Sequence, residues 1–425
     1  MELNRLSIAE VSARMNAGTL TSVQLTEACL ARVNAREPEV RAWVHIDPAE
    51  VLAQARACDA TPRCSALHGI PVGIKDIIDV AGLPAEYGSP IYAGNRAVSD
   101  AACVSALRKA GAIMMGKTVT TEFAMRHPNK TRNPHNPAHT PGGSSSGSAA
   151  GVADGMMPLA LGTQTGGSVL RPASYCGVVG FKPTFCVINR AGVKPNGESL
   201  DTVGLFTRSV EDARLAFPVV TECAAPAPMA IANPRIGFCR TPQWAAAQPE
   251  TVAAIEAAAA ALARAGAQVN EYALPSAFDA LAKAHGVIID YEACRALSHE
   301  IRTARDRISA TVQSRIESMA AHTLDDYLRA RRIVTDCQLL LRDVFNHFDS
   351  LLVPSAPGEA PLTLNSTGEP TFNAIWTALH VPAITLPAGT GPSGLPVGVQ
   401  LVGALGADYA LLACAAWVES RLHYA

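Results

Sequence analysis

In this 425-residue chain, an apolar segment lies on each side of one amphipathic helix between residues 67 and 118. Residues 67–84 read as an apolar run, a turn and a second apolar run, which predicts a buried strand. Residues 99–118 predict a helix capped by Asp100, a glycine at its C-terminal end and another strand. Strand, helix and strand in this order form a βαβ unit, so we expect parallel strands in an α/β fold.

Helical patterns precede this unit. Residues 7–36 predict two amphipathic helices, the first capped by Ser7 and the second beginning at Thr21 and Ser22. A further helix is expected over residues 49–58.

The C-terminal half contains two segments that differ in composition and in pattern. Residues 248–345 are rich in alanine and arginine and mostly helical in pattern, whereas residues 382–422 predict two strands around a Pro/Gly turn and a closing helix. We predict one domain over residues 1–425 with a three-layer α/β/α fold and a mixed central sheet. A smaller helical lobe at residues 248–345 is one option within it, although no linker of convincing length separates that segment.

The composition excludes several classes of protein. Only 17% of residues are charged and 48% are apolar, against about 25% charged in an average protein, so most of the chain must be ordered. The formal net charge of -2 offers no basic stripe for nucleic acid. The N-terminal residues lack an apolar signal core, and no uninterrupted apolar window is long enough to span a membrane. We therefore expect a soluble cytoplasmic protein.

Neither the cysteines nor the histidines predict a metal site or a disulfide framework. The eleven cysteines are scattered, odd in number and without a C-x-x-C pair, which is typical of small buried side chains. Among His127, His135 and His139, the last two are four residues apart, but the intervening prolines prevent a helix from presenting them together. We expect no metal and no cofactor.

Lys75 is the most informative charged residue. Only seven of the 35 lysine and arginine residues are lysines, and arginine is effectively never deprotonated, so arginine could not replace a lysine that acts as a base. Lys75 follows the apolar run 70–74, and burial there would lower its pKa and make it a usable base. The alternative is a structural ion pair with Asp76 or Asp79.

Two glycine-rich stretches also stand out. The run GGSSSGSAAG at 142–151 is either a flexible linker or part of a site; no Lys-Ser or Lys-Thr pair follows it, as a phosphate loop requires. It contains G-x-S-x-G, but no strand precedes it, which argues against a hydrolase elbow. The turn from Thr163 to Ser168 could aim backbone amides at an oxyanion, or it could be a plain Gly-Gly turn.

These stretches together resemble one protein family. GIPVGIKDIID, GGSSSGSAAG and GTQTGGSVLRPASYCGVVGFKP, in this order, and GLPVGVQLVG near the end are similar to the motifs of the amidase signature family over most of the chain. NPHN and TQTGGSV, with an arginine three residues after the serine, make the likeness greatest to its malonamidase branch. The resemblance implies the family's α/β/α fold and cofactor-free amide hydrolysis through an acyl-enzyme.

The resemblance also implies roles for individual residues. Ser168 corresponds to the nucleophile, Ser144 to a bridging serine that follows a cis peptide at Gly143, and Lys75 to the terminal base. The remaining assignments are an oxyanion hole of backbone amides from Thr165, Gly166, Gly167 and Ser168, and substrate-binding positions at Thr163, Gln164 and Arg171. Arg171 would bind a substrate carboxylate, with a structural ion pair as its alternative. Trp376 and His380 either line the pocket or pack in the core.

The expected substrate is therefore a small aliphatic amide bearing a carboxylate, of the malonamate type, and the expected assembly is a homodimer. Within enzymes, the alternatives are a broad-range aliphatic amidase and a ureido-acid hydrolase. A tRNA-dependent transamidase subunit is less favoured, because the chain is short, mildly acidic and without an evident RNA-binding extension. A catalytically dead binding subunit is disfavoured by the joint presence of Lys75, Ser144 and Ser168.

Overall fold

A computed structural model describes residues 2–227, 229 and 231–422 of the chain. Eleven strands in these ranges form one mixed sheet with the order β1-β3-β2-β4-β6-β5-β10-β11-β9-β7-β8. Their bounds are β1 Trp43–His45, β2 Pro71–Lys75, β3 Ile113–Thr118, β4 Leu159–Gln164, β5 Val179–Lys182, β6 Thr202–Thr207, β7 Arg235–Cys239, β8 Gln268–Tyr272, β9 Ser350–Pro354, β10 Ala383–Thr390 and β11 Pro396–Val402. This arrangement confirms the predicted α/β fold with a mixed central sheet.

Helices cover this sheet. Their bounds are α1 Ile8–Asn16, α2 Ser22–Val40, α3 Pro48–Asp59, α4 Ala102–Lys109, α5 Ser146–Asp154, α6 Leu170–Cys176, α7 Val210–Thr221, α8 Pro249–Arg264, α9 Leu281–Ala296, α10 Ser298–Thr303, α11 Ala310–Met319, α12 Leu324–His347, α13 Ala374–Ala378 and α14 Asp408–Glu419. Strands β3 and β4 both run parallel to β2, whereas β6, β5, β10, β11 and β9 pair successively in antiparallel fashion. The predicted βαβ unit is thus β2, α4 and β3.

Side-chain caps set several helix starts, as the sequence predicts. Ser7 and Thr21 each accept a hydrogen bond from the backbone three residues on, in complete capping boxes at α1 and α2. The predicted Asp100 cap of α4 is wrong, because the capping residue is Ala101. Asp100 instead forms an ion pair with Arg108 at 2.7 Å, so it holds the helix from outside its first turn. Polar side chains therefore stabilise these helix starts either as caps, at α1 and α2, or through an ion pair, at α4.

Residues 248–345 divide between the sheet and a helical layer. Helix α8 packs on β9, β10 and β11, and β8 is an edge strand of the sheet. Helices α11 and α12 each pack on α9, and the three helices contribute to two hydrophobic clusters separate from the main core. This layer brings α9 and α11 to the cavity described below.

Apolar burial supplies the cohesion of the fold. All eleven cysteines are free thiols, and six of them are buried among apolar side chains. The largest hydrophobic cluster contains side chains of helices α1 through α5, α7, α8 and α14, which pack against most strands of the sheet. Within the described ranges, no helix combines the length and the apolar character needed to cross a bilayer. The hydrophobic effect, rather than covalent cross-linking, stabilises these layers.

Candidate active site

The segments singled out in the sequence meet at the carboxyl ends of β2 and β4. These strands are parallel neighbours, so their final residues, Lys75 and Gln164, lie at the same edge of the sheet. The turn that follows β4 borders a cavity of about 340 Å³, and Ser168 is one of the residues that line it. Carboxyl ends of neighbouring parallel strands are where α/β folds commonly place ligands. We therefore treat this cavity as the candidate active site.

Lys75 lies beneath this turn, and its side chain is 0% exposed. Its Nζ donates hydrogen bonds to Ser144 Oγ and to Thr163 Oγ1, both at 2.8 Å. Burial lowers the pKa of Lys75 to about 7, and the nearby Asp201 carboxylate partly opposes that shift. A large fraction of the amine is neutral at physiological pH, so it can accept a proton from Ser144.

The ion-pair alternative for Lys75 is not what the structure contains. Asp76 pairs instead with Lys117, at 2.9 Å and with both side chains fully buried. Asp79 accepts a hydrogen bond from the hydroxyl of Tyr87 at 3.2 Å. The two acids adjacent in sequence to Lys75 therefore have partners of their own, and the ammonium is left with hydroxyl groups.

The serine-rich run is a packed turn and not a linker. The peptide bond between Gly143 and Ser144 is cis, as the family resemblance implies, and residues 142–151 are buried throughout. Ser145 Oγ accepts a hydrogen bond from the backbone of Thr163 at 3.2 Å, which joins the run to the end of β4. A Cβ atom on Gly147 would overlap the backbone of neighbouring strands and loops. This close packing fixes Ser144 against Lys75.

Three carbonyl groups of the turn after β4 accept hydrogen bonds from other parts of the protein. His285 Nε2 on α9 donates to Thr165 O at 2.8 Å, and Thr377 Oγ1 on α13 donates to Gly166 O at 2.8 Å. Gly167 O accepts the backbone N–H of α6 at 2.9 Å. Three separate helices thus turn the carbonyl oxygens of this segment towards the protein.

The N–H groups of the same turn have no such partners. Among the described residues, nothing accepts a hydrogen bond from the backbone nitrogen of Gly166, Gly167 or Ser168. All three residues line the cavity, and Ser168 is partly exposed there. Consecutive free amides beside a serine hydroxyl can stabilise negative charge that develops on a bound carbonyl oxygen.

Gln164 supports this turn from inside. Its Oε1 accepts the N–H groups of Val169 and Leu170 at 2.8 and 3.0 Å, and its Nε2 donates to Thr377 Oγ1 at 3.0 Å. The side chain is fully buried. Because its polar atoms all face protein groups, Gln164 is not free for the substrate contact that the resemblance implies. Thr163, the other candidate, has its hydroxyl on Lys75.

Arg171 is a buried cation that lines the cavity and is only 4% exposed. Its Nη2 donates to Gly143 O at 2.6 Å and to Thr367 Oγ1 at 3.3 Å. Its Nε is buried without an acceptor, and no carboxylate pairs with it among the described residues. Burial lowers its pKa to about 10. The predicted alternative of a structural ion pair is therefore absent from the described structure.

Asp201 and His285 are site residues that sequence reasoning missed. Thr165 Oγ1 donates to Asp201 Oδ1 at 2.5 Å, and the backbone of Asn196 donates to Oδ2 of the same carboxylate at 2.8 Å. Asp201 therefore holds the turn, and its carboxylate is the charged group that partly opposes the lowering of the Lys75 pKa. No local pattern marks either residue, because each reaches the turn from a distant element.

Trp376 and His380 pack against other parts of the protein rather than lining the pocket, which were the two alternatives that the sequence left open. Trp376 is fully buried in a hydrophobic cluster. His380 stacks on Phe185 at 4.3 Å between ring centroids, and its Nε2 lies 2.8 Å from the carbonyl oxygen of Ser199. Burial lowers the pKa of His380 to about 4. Neither side chain lines the cavity at Ser168.

The histidines weighed as metal ligands are dispersed. His135 Nε2 lies 2.9 Å from Cys176 O, and His139 Nδ1 lies 2.7 Å from Ala360 O. His127 Nδ1 lies 3.3 Å from Thr311 Oγ1. In the described part of the chain, no three His, Cys, Asp or Glu side chains group as metal ligands would. These histidines act as hydrogen-bonding residues of the loops.

The chain is similar to several known proteins. A family model described as Amidase matches residues 24–412. The chain is 35% identical to a glutamyl-tRNA(Gln) amidotransferase subunit of Chloroflexus aggregans, over 95% of the chain and 93% of the relative. It is 32% identical to the 2-amino-5-chloromuconic acid deaminase of Comamonas testosteroni, over 99% and 97%. A crystal structure of an amidase superposes with a TM-score of 0.90 at 29% identity, over 98% of this chain and 100% of that one.

Proposed function

The chain belongs to the amidase family, and we propose that it hydrolyses a small aliphatic amide bearing a carboxylate, of the malonamate type, to a carboxylate and ammonia. Hydrolysis of an amide C–N bond follows from the family; the substrate is the proposal. The observation that carries it is Arg171, a buried guanidinium without an acidic partner in the wall of the cavity that holds Ser168. A substrate carboxylate would supply the missing anion.

The proposed reaction begins with a proton relay. Neutral Lys75 accepts a proton from Ser144, and Ser144 accepts one from Ser168 as Ser168 Oγ attacks the amide carbon. The 2.8 Å separation of Lys75 Nζ and Ser144 Oγ supports the first step. Arg171 supports the second, because it lies one turn beyond Ser168 and holds the Gly143 carbonyl beside Ser144.

The remaining steps use the same groups in reverse. The tetrahedral intermediate places its oxyanion at the free N–H groups of Gly166, Gly167 and Ser168. Its C–N bond breaks as the relay returns a proton to the nitrogen, so ammonia leaves and an acyl ester remains on Ser168. Water then attacks the ester, giving up its proton to the same relay, and the carboxylate product is released.

The carboxylate preference follows from the cost of burying charge. A guanidinium out of water is unfavourable unless its donors are paired, and Arg171 Nε has no acceptor within the described structure. The resemblance of TQTGGSV, with Arg171 three residues after Ser168, to the malonamidase motif supports the same preference. The relative from Comamonas testosteroni is likewise named for an acid. A neutral aliphatic amide would use the same relay with less benefit from Arg171, whereas a ureido acid carries a carboxylate of its own and differs in the group that Ser168 attacks.

An ammonia-release panel tests this proposal. Malonamate, acetamide, propionamide, a ureido acid and glutamine are assayed in parallel, and the Ser168→Ala protein gives the background rate. We expect the highest kcat/KM on malonamate. A preference for the uncharged amides would favour the broad-range amidase, and a preference for the ureido acid would favour that alternative. Release equal to background on every compound would overturn the enzyme assignment.

A second candidate function has its own support in the 35% identity to a glutamyl-tRNA(Gln) amidotransferase component. In that case the natural amide would be glutamine, and the chain would pass ammonia to a partner rather than act as the homodimer that the sequence analysis expects. The same panel separates the two candidates. Glutamine hydrolysed in preference to malonamate would support the transamidase role, and the reverse would support the hydrolase.

Replacing Arg171 with leucine should separate binding from chemistry. We expect kcat/KM for malonamate to fall by about 100-fold or more, because a charge-assisted hydrogen bond to a buried carboxylate is lost. The value for acetamide should fall by about tenfold or less, because acetamide presents no carboxylate and loses only the support that Arg171 gives to the Gly143 carbonyl. Steady-state kinetics on both amides, with thermal unfolding to confirm folding, measure the difference. Equal losses on both would assign Arg171 to structure alone.

A further inference from the structure

The cavity is larger than a malonamate-type substrate needs. Its volume of about 340 Å³ falls in the range of about 300–1,000 Å³ that holds drug-sized ligands. Malonamate has a three-carbon skeleton and would occupy only the region between Ser168 and Arg171. Chemistry in the rest of the cavity wall therefore bears on what the whole substrate looks like.

The wall carries more positive than negative charge. Three guanidiniums line the cavity, and they come from separate segments: Arg126 from the loop before α5, Arg171 from α6 and Arg315 from α11. Glu369 is the single carboxylate among its described lining residues. Convergence of three cations on one cavity is unfavourable in the empty protein and favours an anionic ligand with more than one charge.

These cations are close enough to affect one another. Burial is the main cause that lowers the pKa of Arg315 and of Arg171; the carboxylates of Asp290 and Glu369, respectively, oppose it, and the positive charge of Arg126 adds a smaller lowering to both. Arg126 is therefore within electrostatic range of the other two guanidiniums. An anion bound near Arg126 and Arg315 would relieve this repulsion.

The existing ion pairs leave donors available in the cavity. Arg126 pairs with Glu369 at 2.9 Å, but the two side chains are 51% and 56% exposed, where such a pair contributes little. Arg315 Nη2 pairs at 2.6 Å with Asp290, which does not line the cavity. A guanidinium has five N–H donors, so this single contact leaves several free.

We propose that Arg126 and Arg315 form a second carboxylate-binding subsite, so that the natural substrate is an aliphatic amide carrying two carboxylates, such as a monoamide of a tricarboxylic acid. Arg171 binds the carboxylate nearer the amide, and the Arg126 and Arg315 subsite binds the distal one. This inference rests on the proposed function, since it assigns the substrate class of the same site.

Calorimetric binding of two product-like acids tests the subsite without catalysis. Malonate and propane-1,2,3-tricarboxylate are titrated into the full-length protein at fixed pH and ionic strength. We expect the tricarboxylate to bind about tenfold tighter or more, and this ratio to fall several-fold in Arg126→Gln and in Arg315→Gln. Glu369→Gln should raise the ratio, because it removes the negative charge that competes with the ligand. Arg240→Gln, a change at a surface arginine outside the cavity, is the matched control.

The arginine variants and Glu369→Gln should change the binding ratio in opposite directions, which distinguishes a binding subsite from a structural ion pair. If Arg126→Gln and Glu369→Gln weaken tricarboxylate binding alike, their ion pair only shapes the cavity and the subsite is excluded. An unchanged ratio in both arginine variants excludes it as well. If amides are hydrolysed but the ratio of tricarboxylate to malonate affinity is unchanged in the arginine variants, the subsite is excluded and the proposed function is retained. If no amide is hydrolysed but binding responds as expected, the subsite stands and the proposed activity fails.

Discussion

Replacing Lys75 with arginine is expected to lower kcat by about 10²–10⁴-fold on every amide that the enzyme accepts. Arginine keeps the positive charge and the hydrogen-bond donors, but it is effectively never deprotonated and cannot accept the proton of Ser144. KM should change much less than kcat, because Lys75 does not line the cavity. Steady-state kinetics on the best amide of the panel measure both constants.

The matched control is Lys109→Arg, the same chemical change at a side chain that is 79% exposed. It should leave kcat within about twofold of wild type, since surface substitutions usually have small effects. Thermal unfolding of both variants separates loss of chemistry from loss of folding, because arginine is bulkier than the buried lysine it replaces. A well-folded Lys75→Arg protein with wild-type kcat would contradict the base role.

The pH dependence of the wild-type enzyme follows from the same group. The pKa of Lys75 is lowered to about 7 by burial, and only its neutral form can act as base. Activity is therefore lost as pH falls through about 7 and is fully present above it, so kcat/KM should drop about tenfold per pH unit on the acid side. A profile that stays flat from pH 6 to pH 8 would mean that another group carries the proton.

Local features of this protein could be predicted from sequence because their causes lie within a few residues. Ser7 and Thr21 cap their helices through contacts three residues away, and the apolar run before Lys75 forms a buried strand. The second apolar run, after Lys75, forms no strand, since Ile78 and Pro84 make only isolated bridges. The serine and glycine motifs could be interpreted through the family resemblance, and they do meet at one edge of the sheet.

Other features depend on contacts between distant segments. Asp76 could have paired with its neighbour Lys75, but Lys117 on the adjacent strand occupies it. His285 and Arg315 reach the cavity only because α9 and α11 pack over the turn after β4, and no pattern in their own helices predicts that position. Tertiary packing, rather than local propensity, thus decides which charges are free to act.

Replacing Ser144 with alanine should interrupt the proposed relay while leaving Ser168, the proposed nucleophile, in place. We expect kcat to fall by about 10²–10⁴-fold, because Ser168 would then lose its route for proton transfer to Lys75. The loss should appear on charged and uncharged amides alike, which distinguishes it from the selective loss in Arg171→Leu. Ammonia release and thermal unfolding measure activity and folding in the same preparation.

The same serine run supplies a matched control in Ser146→Ala. Ser146 is also buried, but its Oγ donates to Val119 O at 3.4 Å and makes no contact with Lys75 within the described structure. Its loss removes one long hydrogen bond and should alter kcat by no more than a few-fold. If both alanine variants lost activity equally, the run would matter for its packing and not for its hydroxyl groups. A large loss in Ser144→Ala alone would support a proton path from Ser168 through Ser144 to Lys75.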